Sequence, residues 1–226
     1  MTSPRGTLAG QLAAMGFADT ARARQLLTEL GFDGDTPDSA DKPVLDALAG
    51  SADPDRALAA LARMAPDADL RQALRTDPVL RDRLISVLGA SAALGDHLVR
   101  HRADWQLLTE TSPFPSQEVS PDDPVSALRV EYRRRLLRLA ASDLTGELPL
   151  DDVMAGLADA ASAALGTALD IARSELPDGG APGRLAVIAM GKCGARELNY
   201  ASDVDVIFVA DPADPAALQT ATALAS

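Results

Sequence analysis

The sequence predicts a mostly α protein, with a helical bundle or array over residues 1–180 followed by the start of an α+β core over residues 183–226. Alanine is abundant and aromatic residues make up only 3% of the chain, which favours helices packed on helices through leucine, alanine and valine. The apolar run Leu185 to Met190 has the length of a strand and follows the glycine- and proline-rich stretch 176–183. Helices therefore give way to strands at this stretch.

Three helix starts are marked by an aspartate followed by a proline. The aspartate side chain can accept a hydrogen bond from a free backbone N–H of the first turn, and proline suits the first helical position because no N–H is needed there. We therefore expect helices to begin at Asp53-Pro54, Asp77-Pro78 and Asp123-Pro124.

Two amphipathic stripes are expected to face the helical core, and the alanines of the second permit close helix packing. The first comprises Leu80, Leu84, Val87 and Leu88, and the second Val153, Leu157, Ala160, Ala161, Ala164, Leu165, Ala168 and Ile171. Loops are predicted at 31–43, 111–124 and 176–183, which are rich in polar residues, proline or glycine.

A basic cluster lies in one predicted helix. It comprises Arg133, Arg134, Arg135 and Arg138, on a helix whose apolar positions are Leu128, Tyr132, Leu136 and Leu139. Most of these arginines should face away from the apolar positions. The simpler interpretation is a solvated helix face with a Glu131–Arg135 pair, and the alternative is a contact with an anion or an acidic partner.

Composition excludes several classes of protein. A net charge of −12 argues against a general nucleic-acid surface, and no apolar stretch approaches the roughly 18 residues of a membrane helix. The first residues lack the pattern of a secretion signal, and one cysteine cannot form an internal disulfide. We therefore expect a cytoplasmic protein that binds neither nucleic acid nor membrane.

Asp203 and Asp205 are separated by one residue in a segment that continues as the apolar run Val206 to Val209. We predict that both lie inside a strand, where both carboxylates point to one face, at about 6 to 7 Å from each other. Two like charges so close call for a counter-charge, which a divalent cation would supply. The alternative is that both lie on the solvated face of an ordinary strand.

A glycine turn precedes this acidic segment. Gly191, Lys192 and Gly194 follow the apolar run directly and lead into the helix-prone piece Ala195 to Leu198. Glycine lets backbone N–H groups approach an anion, and a lysine beside it adds a positive charge. Together, the turn and the carboxylate pair suggest a site for phosphate and a metal ion.

The stretch GKCGARELNYASDVDVIFV resembles the nucleotidyltransferase motif of the bifunctional glutamine synthetase adenylyltransferase/adenylyl-removing enzymes. The positions that fit are Gly191, Lys192, Gly194, Glu197, Leu198, Tyr200, Ser202, Asp203, Asp205 and Phe208. Cys193 stands where an aliphatic residue is more usual, which affects packing. The likeness extends to residues 87–108 and 128–154, and it implies a polymerase beta-like nucleotidyltransferase core in the 183–226 segment.

The resemblance implies an enzyme that acts on glutamine synthetase. In this family the first of two catalytic halves removes AMP and the second attaches it, and a helical region beginning at Met1 resembles the first half. Removal is expected to be phosphorolysis that releases ADP. Asp203 and Asp205 would be the catalytic residues and Mg²⁺ ligands, and Gly191, Lys192 and Ser202 would bind the phosphates of the nucleotide, ADP or ATP.

Such enzymes use a third carboxylate on a later strand. The chain ends at Ser226, 21 residues past Asp205, and Asp211 and Asp214 each precede a proline, as in turns and helix caps. We therefore expect an N-terminal fragment that is inactive alone. The alternatives are another metal-dependent nucleotidyltransferase, or a non-catalytic module that docks glutamine synthetase or a PII-type regulator.

The remaining histidine, tryptophan and cysteine residues are expected to have structural rather than catalytic roles. His97 and His101 are four residues apart, but the neighbouring arginines repel cations, so a structural or surface role is expected. Trp105 is expected to anchor helix packing and Cys193 to be a small buried apolar residue.

Overall fold

The structure, a computed structural model, describes residues 8–32, 41–64, 67–109, 123–175, 184–211 and 222. Helices form most of the chain before residue 175, and two strands follow. The helices are α1 (Leu8–Ala14), α2 (Thr20–Leu30), α3 (Lys42–Gly50), α4 (Pro54–Met64), α5 (Ala68–Thr76), α6 (Pro78–Ala90), α7 (Ala92–Arg100), the 3-10 helix Arg102–Leu108, α8 (Pro124–Leu144), α9 (Leu150–Ser174) and α10 (Gly191–Gly194). The strands are β1 (Arg184–Ala189) and β2 (Val206–Asp211). The prediction of a mostly helical protein is confirmed.

The chain divides into two compact units. The first comprises Met1–Pro113 with Ala140–Glu147, and the second Phe114–Leu139 with Leu148–Ser226. The predicted loops at 111–124 and 176–183 lie almost entirely outside the described residues. The division into residues 1–180 and 183–226 therefore stays a prediction.

The three aspartate-proline helix starts are confirmed. Helices α4, α6 and α8 begin at Pro54, Pro78 and Pro124. In each case the preceding aspartate accepts a hydrogen bond from a backbone N–H three residues on: Asp53 from Arg56 at 2.9 Å, Asp77 from Leu80 at 3.0 Å and Asp123 from Ser126 at 3.0 Å. The predicted loop 31–43 is too long, because α3 already begins at Lys42 with Pro43 in its first turn.

The core of the first unit is built mainly of leucine on α2 to α7. The predicted stripe on α6 is buried, with Leu80, Leu84, Val87 and Leu88 all 0% exposed. Trp105 is buried as well, and its indole N–H donates to an Asp67 carboxylate oxygen at 3.0 Å. This confirms the prediction that Trp105 anchors helix packing.

The two histidines have the structural role expected of them. His97 is fully buried, and its Nε2 lies 2.8 Å from Oδ2 of Asp104, which is also buried. The rings of His97 and His101 stack at 4.6 Å between centroids. Within the described ranges, no group of three or more His, Cys, Asp or Glu residues is arranged to hold a metal ion.

In the second unit, α8 and α9 pack beside the turn that follows β1. The first half of the predicted α9 stripe, from Val153 to Ala161, is buried, whereas its later positions are more exposed. The Glu131–Arg135 pair is confirmed, with Nε 3.2 Å from Oε1. The expectation that most of the α8 arginines face away from the apolar positions holds for Arg133, which is exposed, but not for Arg138, which is only 5% exposed in a fully buried stretch of the helix.

The two strands form an antiparallel pair in which Arg184 lies opposite Asp211 and Ala189 opposite Val206. Several apolar side chains of this sheet are exposed, among them Ile188, Ile207, Phe208 and Val209. None of the helices that the structure describes is long and apolar enough to cross a membrane.

One ion pair ties α6 to the turn between α8 and α9 inside the first unit, and the side chain of its glutamate, Glu147, is 36% exposed. Arg83 Nε donates to Glu147 Oε1 at 2.9 Å, a second guanidinium nitrogen contacts the other carboxylate oxygen, and Nη1 donates to the Leu108 carbonyl at 2.8 Å. The Arg83 side chain is 11% exposed. Two parallel hydrogen bonds between ionised groups are among the stronger polar contacts in proteins.

We expect Glu147→Gln to lower the free energy of unfolding by about 1 kcal/mol at neutral pH, because it removes one charge of a pair that solvent screens only in part. The hydrogen bond from Arg83 lowers the pKa of Glu147 from its ordinary value of 4.5. A carboxyl group with a lower pKa in the folded state stabilises the fold above its unfolded pKa, and this stabilisation is lost as the pH falls through the folded pKa. Urea unfolding followed by circular dichroism should therefore show a difference from the parent protein that shrinks in acid.

Asp46→Asn is the matched control, since Asp46 pairs with Lys42 within one helix and both side chains are 52% exposed. It should change the stability by no more than about 0.5 kcal/mol. An equal loss for both variants, or a loss for Glu147→Gln that persists undiminished in acid, would contradict the assignment.

Candidate active site

The acidic segment is held beside the glycine turn by the last hydrogen bond of the strand pair. The Met190 N–H donates to the Asp205 carbonyl at 2.8 Å, one residue beyond the register pair Ala189–Val206. After Met190 the opposite chain turns away at Gly191, whose φ is 53°. The prediction that Asp203 and Asp205 lie inside a strand is therefore wrong, because β2 begins only at Val206 where β1 still offers a partner.

The Asp205 carboxylate lies against the glycine turn. A Cβ atom placed on Gly191 would be 3.4 Å from Asp205 Oδ2. Both Asp203 and Asp205 are exposed, as is Lys192 next to Gly191. The structure thus brings Asp205 to Gly191, the chain neighbour of Lys192, and it places Asp203 two residues upstream in the same segment. Metal binding by the carboxylate pair stays a prediction.

The short helix is the glycine turn itself. The Gly194 N–H donates to the Met190 carbonyl and the Ala195 N–H to the Gly191 carbonyl, each at 3.0 Å, which makes α10. The predicted helix at Ala195 to Leu198 is wrong. The chain leaves the helix there because Arg196 adopts a left-handed conformation with a φ of 60°.

Gly194 allows α10 to approach the end of β1. A Cβ atom at this position would lie 2.4 Å from the Ala189 carbonyl oxygen, a distance that real Cβ atoms essentially never show, and 3.0 Å from its carbon, which is a tight contact. Since both are backbone atoms, relief would require β1 or the turn to move. The glycine in the sequence pattern is therefore a packing requirement.

Helix α10 ends in a hydrogen-bonded cap. The Glu197 N–H donates to the Lys192 carbonyl at 2.8 Å and the Arg196 N–H to the Cys193 carbonyl at 3.1 Å. This pattern usually places glycine at the left-handed position, which Arg196 occupies here. The Arg196 guanidinium donates two hydrogen bonds to Asp159 on α9, at 2.5 and 2.8 Å. These hydrogen bonds raise the pKa of Arg196.

The segment between the cap and the acidic pair is organised by Asn199. Its side-chain oxygen accepts hydrogen bonds from the Ala201 N–H at 3.1 Å and from the Ser202 hydroxyl at 2.8 Å. Asparagine commonly forms such local turns, so its position just before Tyr200 and Ala201 could have indicated one. The phosphate-binding role of Ser202 stays a prediction, and its hydroxyl donates to Asn199 in this structure.

The turn is anchored by an apolar cluster on its inner side. Cys193 and Leu198 are buried against Val153, Leu157 and Ala161 of α9 and Leu139 of α8. The interpretation of Cys193 as a small buried apolar residue is confirmed. Burial raises the pKa of the Tyr132 phenol on α8, with a smaller contribution from Cys193.

Comparison with known proteins gives a consistent result. The family model described as glutamate-ammonia ligase adenylyltransferase matches residues 80–225. A protein of Streptomyces avermitilis is 47% identical over 100% of the chain and 24% of its own length, and one of Streptomyces coelicolor is 45% identical over 96% and 24%. A protein of Mycobacterium tuberculosis is 45% identical over 85% of the chain and 22% of its own length.

Each of these three relatives is named a bifunctional glutamine synthetase adenylyltransferase/adenylyl-removing enzyme. The chain thus falls in a class of enzymes named for nucleotidyl transfer. It belongs to the glutamate-ammonia ligase adenylyltransferase family, which confirms the resemblance of its glycine turn and acidic segment. The chain spans about a quarter of the length of the curated relatives that it matches.

We expect Gly194→Ala to destabilise the second unit by about 1 to 3 kcal/mol, as overpacking against an immobile group does. The added methyl would collide with the Ala189 carbonyl at 2.4 Å. Hydrogen exchange of the Met190 amide, measured by mass spectrometry or NMR, should become faster as the strand end loosens.

Gly166→Ala on α9 is the control, because a Cβ there meets nothing within 4 Å. Alanine favours a helix interior over glycine by up to about 1 kcal/mol, so this variant should be as stable as the parent or more so. Equal behaviour of the two variants would show that position 194 does not require glycine.

Proposed function

We propose that this chain carries the metal and phosphate site of an enzyme that removes AMP from an adenylylated tyrosine of glutamine synthetase. Inorganic phosphate would be the second substrate, and ADP and the unmodified tyrosine the products. The relatives' name includes both attachment and removal of the adenylyl group. The resemblance of the helical region and motif to the adenylyl-removing half favours removal.

The observation that supports this proposal most directly is the position of the Asp205 carboxylate. It lies against the glycine turn, with its Oδ2 3.4 Å from where a Gly191 Cβ would be. The hydrogen bond from the Met190 N–H to the Asp205 carbonyl, 2.8 Å long, fixes the backbone on both sides. The backbone therefore holds the Asp205 carboxylate, a possible metal ligand, next to a turn suited to anions.

The residues fit Mg²⁺. Two exposed carboxylates one residue apart are hard oxygen donors, which Mg²⁺ prefers, and they leave room for water and phosphate oxygens. When bound, Mg²⁺ would neutralise charge on the phosphate oxygens. Lys192 would hold one phosphate as a point charge.

The reaction requires positioning more than covalent chemistry. A phosphate oxygen would form a bond to the adenylyl phosphorus while the bond to the tyrosine oxygen breaks, and the tyrosine oxygen would take up a proton. Both reactants are anions that repel each other, so orientation and charge compensation are the main contributions a protein can make. A glycine turn with a lysine, and an acidic segment whose Asp205 carboxylate lies against that turn, supply groups suited to both.

We expect Asp203→Asn combined with Asp205→Asn, made in the whole polypeptide that carries this chain, to lower phosphate-dependent ADP release from adenylylated glutamine synthetase at least about a hundredfold. Removing both carboxylates should also abolish Mg²⁺ binding, measured by calorimetry. Attachment of AMP to glutamine synthetase should remain, because the proposal assigns it elsewhere.

Asp211→Asn is the matched control, because Asp211 is an exposed carboxylate at the far end of β2, where it pairs with Arg184. It should leave ADP release unchanged. Loss of AMP attachment with retained removal would reverse the assignment. Retention of both reactions by the double variant, with unchanged binding of glutamine synthetase or a PII-type protein, would favour a docking module instead.

A further inference from the structure

We infer that Arg196 and Asp159 are a pair of positioning residues, which hold the glycine-lysine turn on α9 and so fix Lys192 relative to the acidic segment. This rests on the proposed function for its catalytic consequence, although the clamp itself is a property of the fold. Neither residue is placed in contact with the reacting groups. Both act through the backbone of the turn.

The first argument is the backbone of Arg196. Its φ of 60° is the only positive value of a non-glycine residue in the described part of the chain. The left-handed region is unfavourable for residues with a Cβ atom, and caps of this kind usually have glycine there. On backbone grounds alone, glycine at position 196 would give a more stable protein.

The second argument is that the ion pair contributes too little stability to offset the backbone strain at Arg196. The side chains of Arg196 and Asp159 are 57% and 52% exposed, and exposed ion pairs contribute little to folding. A strained residue kept by a contact of small energetic value points to a geometric role. The pair fixes orientation, because two parallel hydrogen bonds at 2.5 and 2.8 Å hold the Arg196 guanidinium in one geometry on the Asp159 carboxylate.

The third argument is that backbone hydrogen bonds link position 196 to Lys192. The Arg196 and Glu197 amides bond to the carbonyls of Cys193 and Lys192, so movement at position 196 is transmitted to the lysine backbone. On α9, the alanines on either side of Asp159 are buried, which makes the anchor rigid. The clamp thus joins an immobile helix to the turn against which the Asp205 carboxylate lies.

The test compares Arg196→Gly, Asp159→Asn and the double variant in the whole polypeptide. Arg196→Gly removes the tether and the strain together, so its thermal midpoint should be equal to or higher than that of the parent. Hydrogen exchange of amides 191–202 should nevertheless be faster in all three variants. The kcat/KM for phosphate, measured from ADP release, should fall roughly ten- to a hundredfold. The double variant should lose no more kcat/KM than the more strongly impaired single variant, as expected for residues that act together.

Arg184→Gln is the control, since Arg184 forms another exposed pair in the same unit, with Asp211. It should change neither the exchange of amides 191–202 nor ADP release. Unchanged exchange in Arg196→Gly and Asp159→Asn would overturn the clamp, whatever the activity. A lower midpoint with activity lost only in proportion to unfolding would also overturn it.

Two further outcomes separate the inference from the proposed function. If the parent protein releases no ADP but the variants show faster exchange, the clamp stands and the proposed reaction fails. If Arg196→Gly loses activity while Asp159→Asn keeps both activity and protection from exchange, Arg196 acts on the substrate directly and the positioning role is wrong.

Discussion

One backbone hydrogen bond, from the Met190 amide to the Asp205 carbonyl at 2.8 Å, sets the geometry of the candidate site. It is the last bond between the two chain segments before β1 enters the glycine turn. Side chains alternate along extended segments, so a slip by one residue would turn the Asp205 carboxylate to the opposite face. The register from Ala189–Val206 to Arg184–Asp211 therefore decides on which face the Asp205 carboxylate lies.

What the sequence predicted well depends on local physics. An aspartate before a proline satisfies free N–H groups within three residues, so the starts of α4, α6 and α8 follow from the sequence alone. The buried stripe of α6 follows from helical spacing in the same way. The start of β2 was missed because it depends on where its partner strand ends, and the Arg196–Asp159 pair because its members are 37 residues apart.

Helix α9 shows how small residues can serve a site that they do not touch. Ala158 and Ala161 are almost fully buried in one cluster with Cys193 and Leu198, so the turn after β1 can lie close to the helix. A larger side chain at either alanine would push the turn outwards. The same turn of helix presents Asp159 to solvent, where it meets Arg196. Apolar packing therefore sets the distance of the turn from α9, and the ion pair sets its orientation.

Electrostatics impose an order on binding at such a site. The chain has a net charge of −12, and its two exposed carboxylates repel any phosphate that approaches the glycine turn. Lys192 offsets one charge only. A divalent cation on the carboxylates would convert this repulsion into attraction, so cation and phosphate should each raise the affinity for the other, as linkage requires. Under the proposed function, the site would therefore have little affinity for phosphate until the cation is bound, and the reaction would require both.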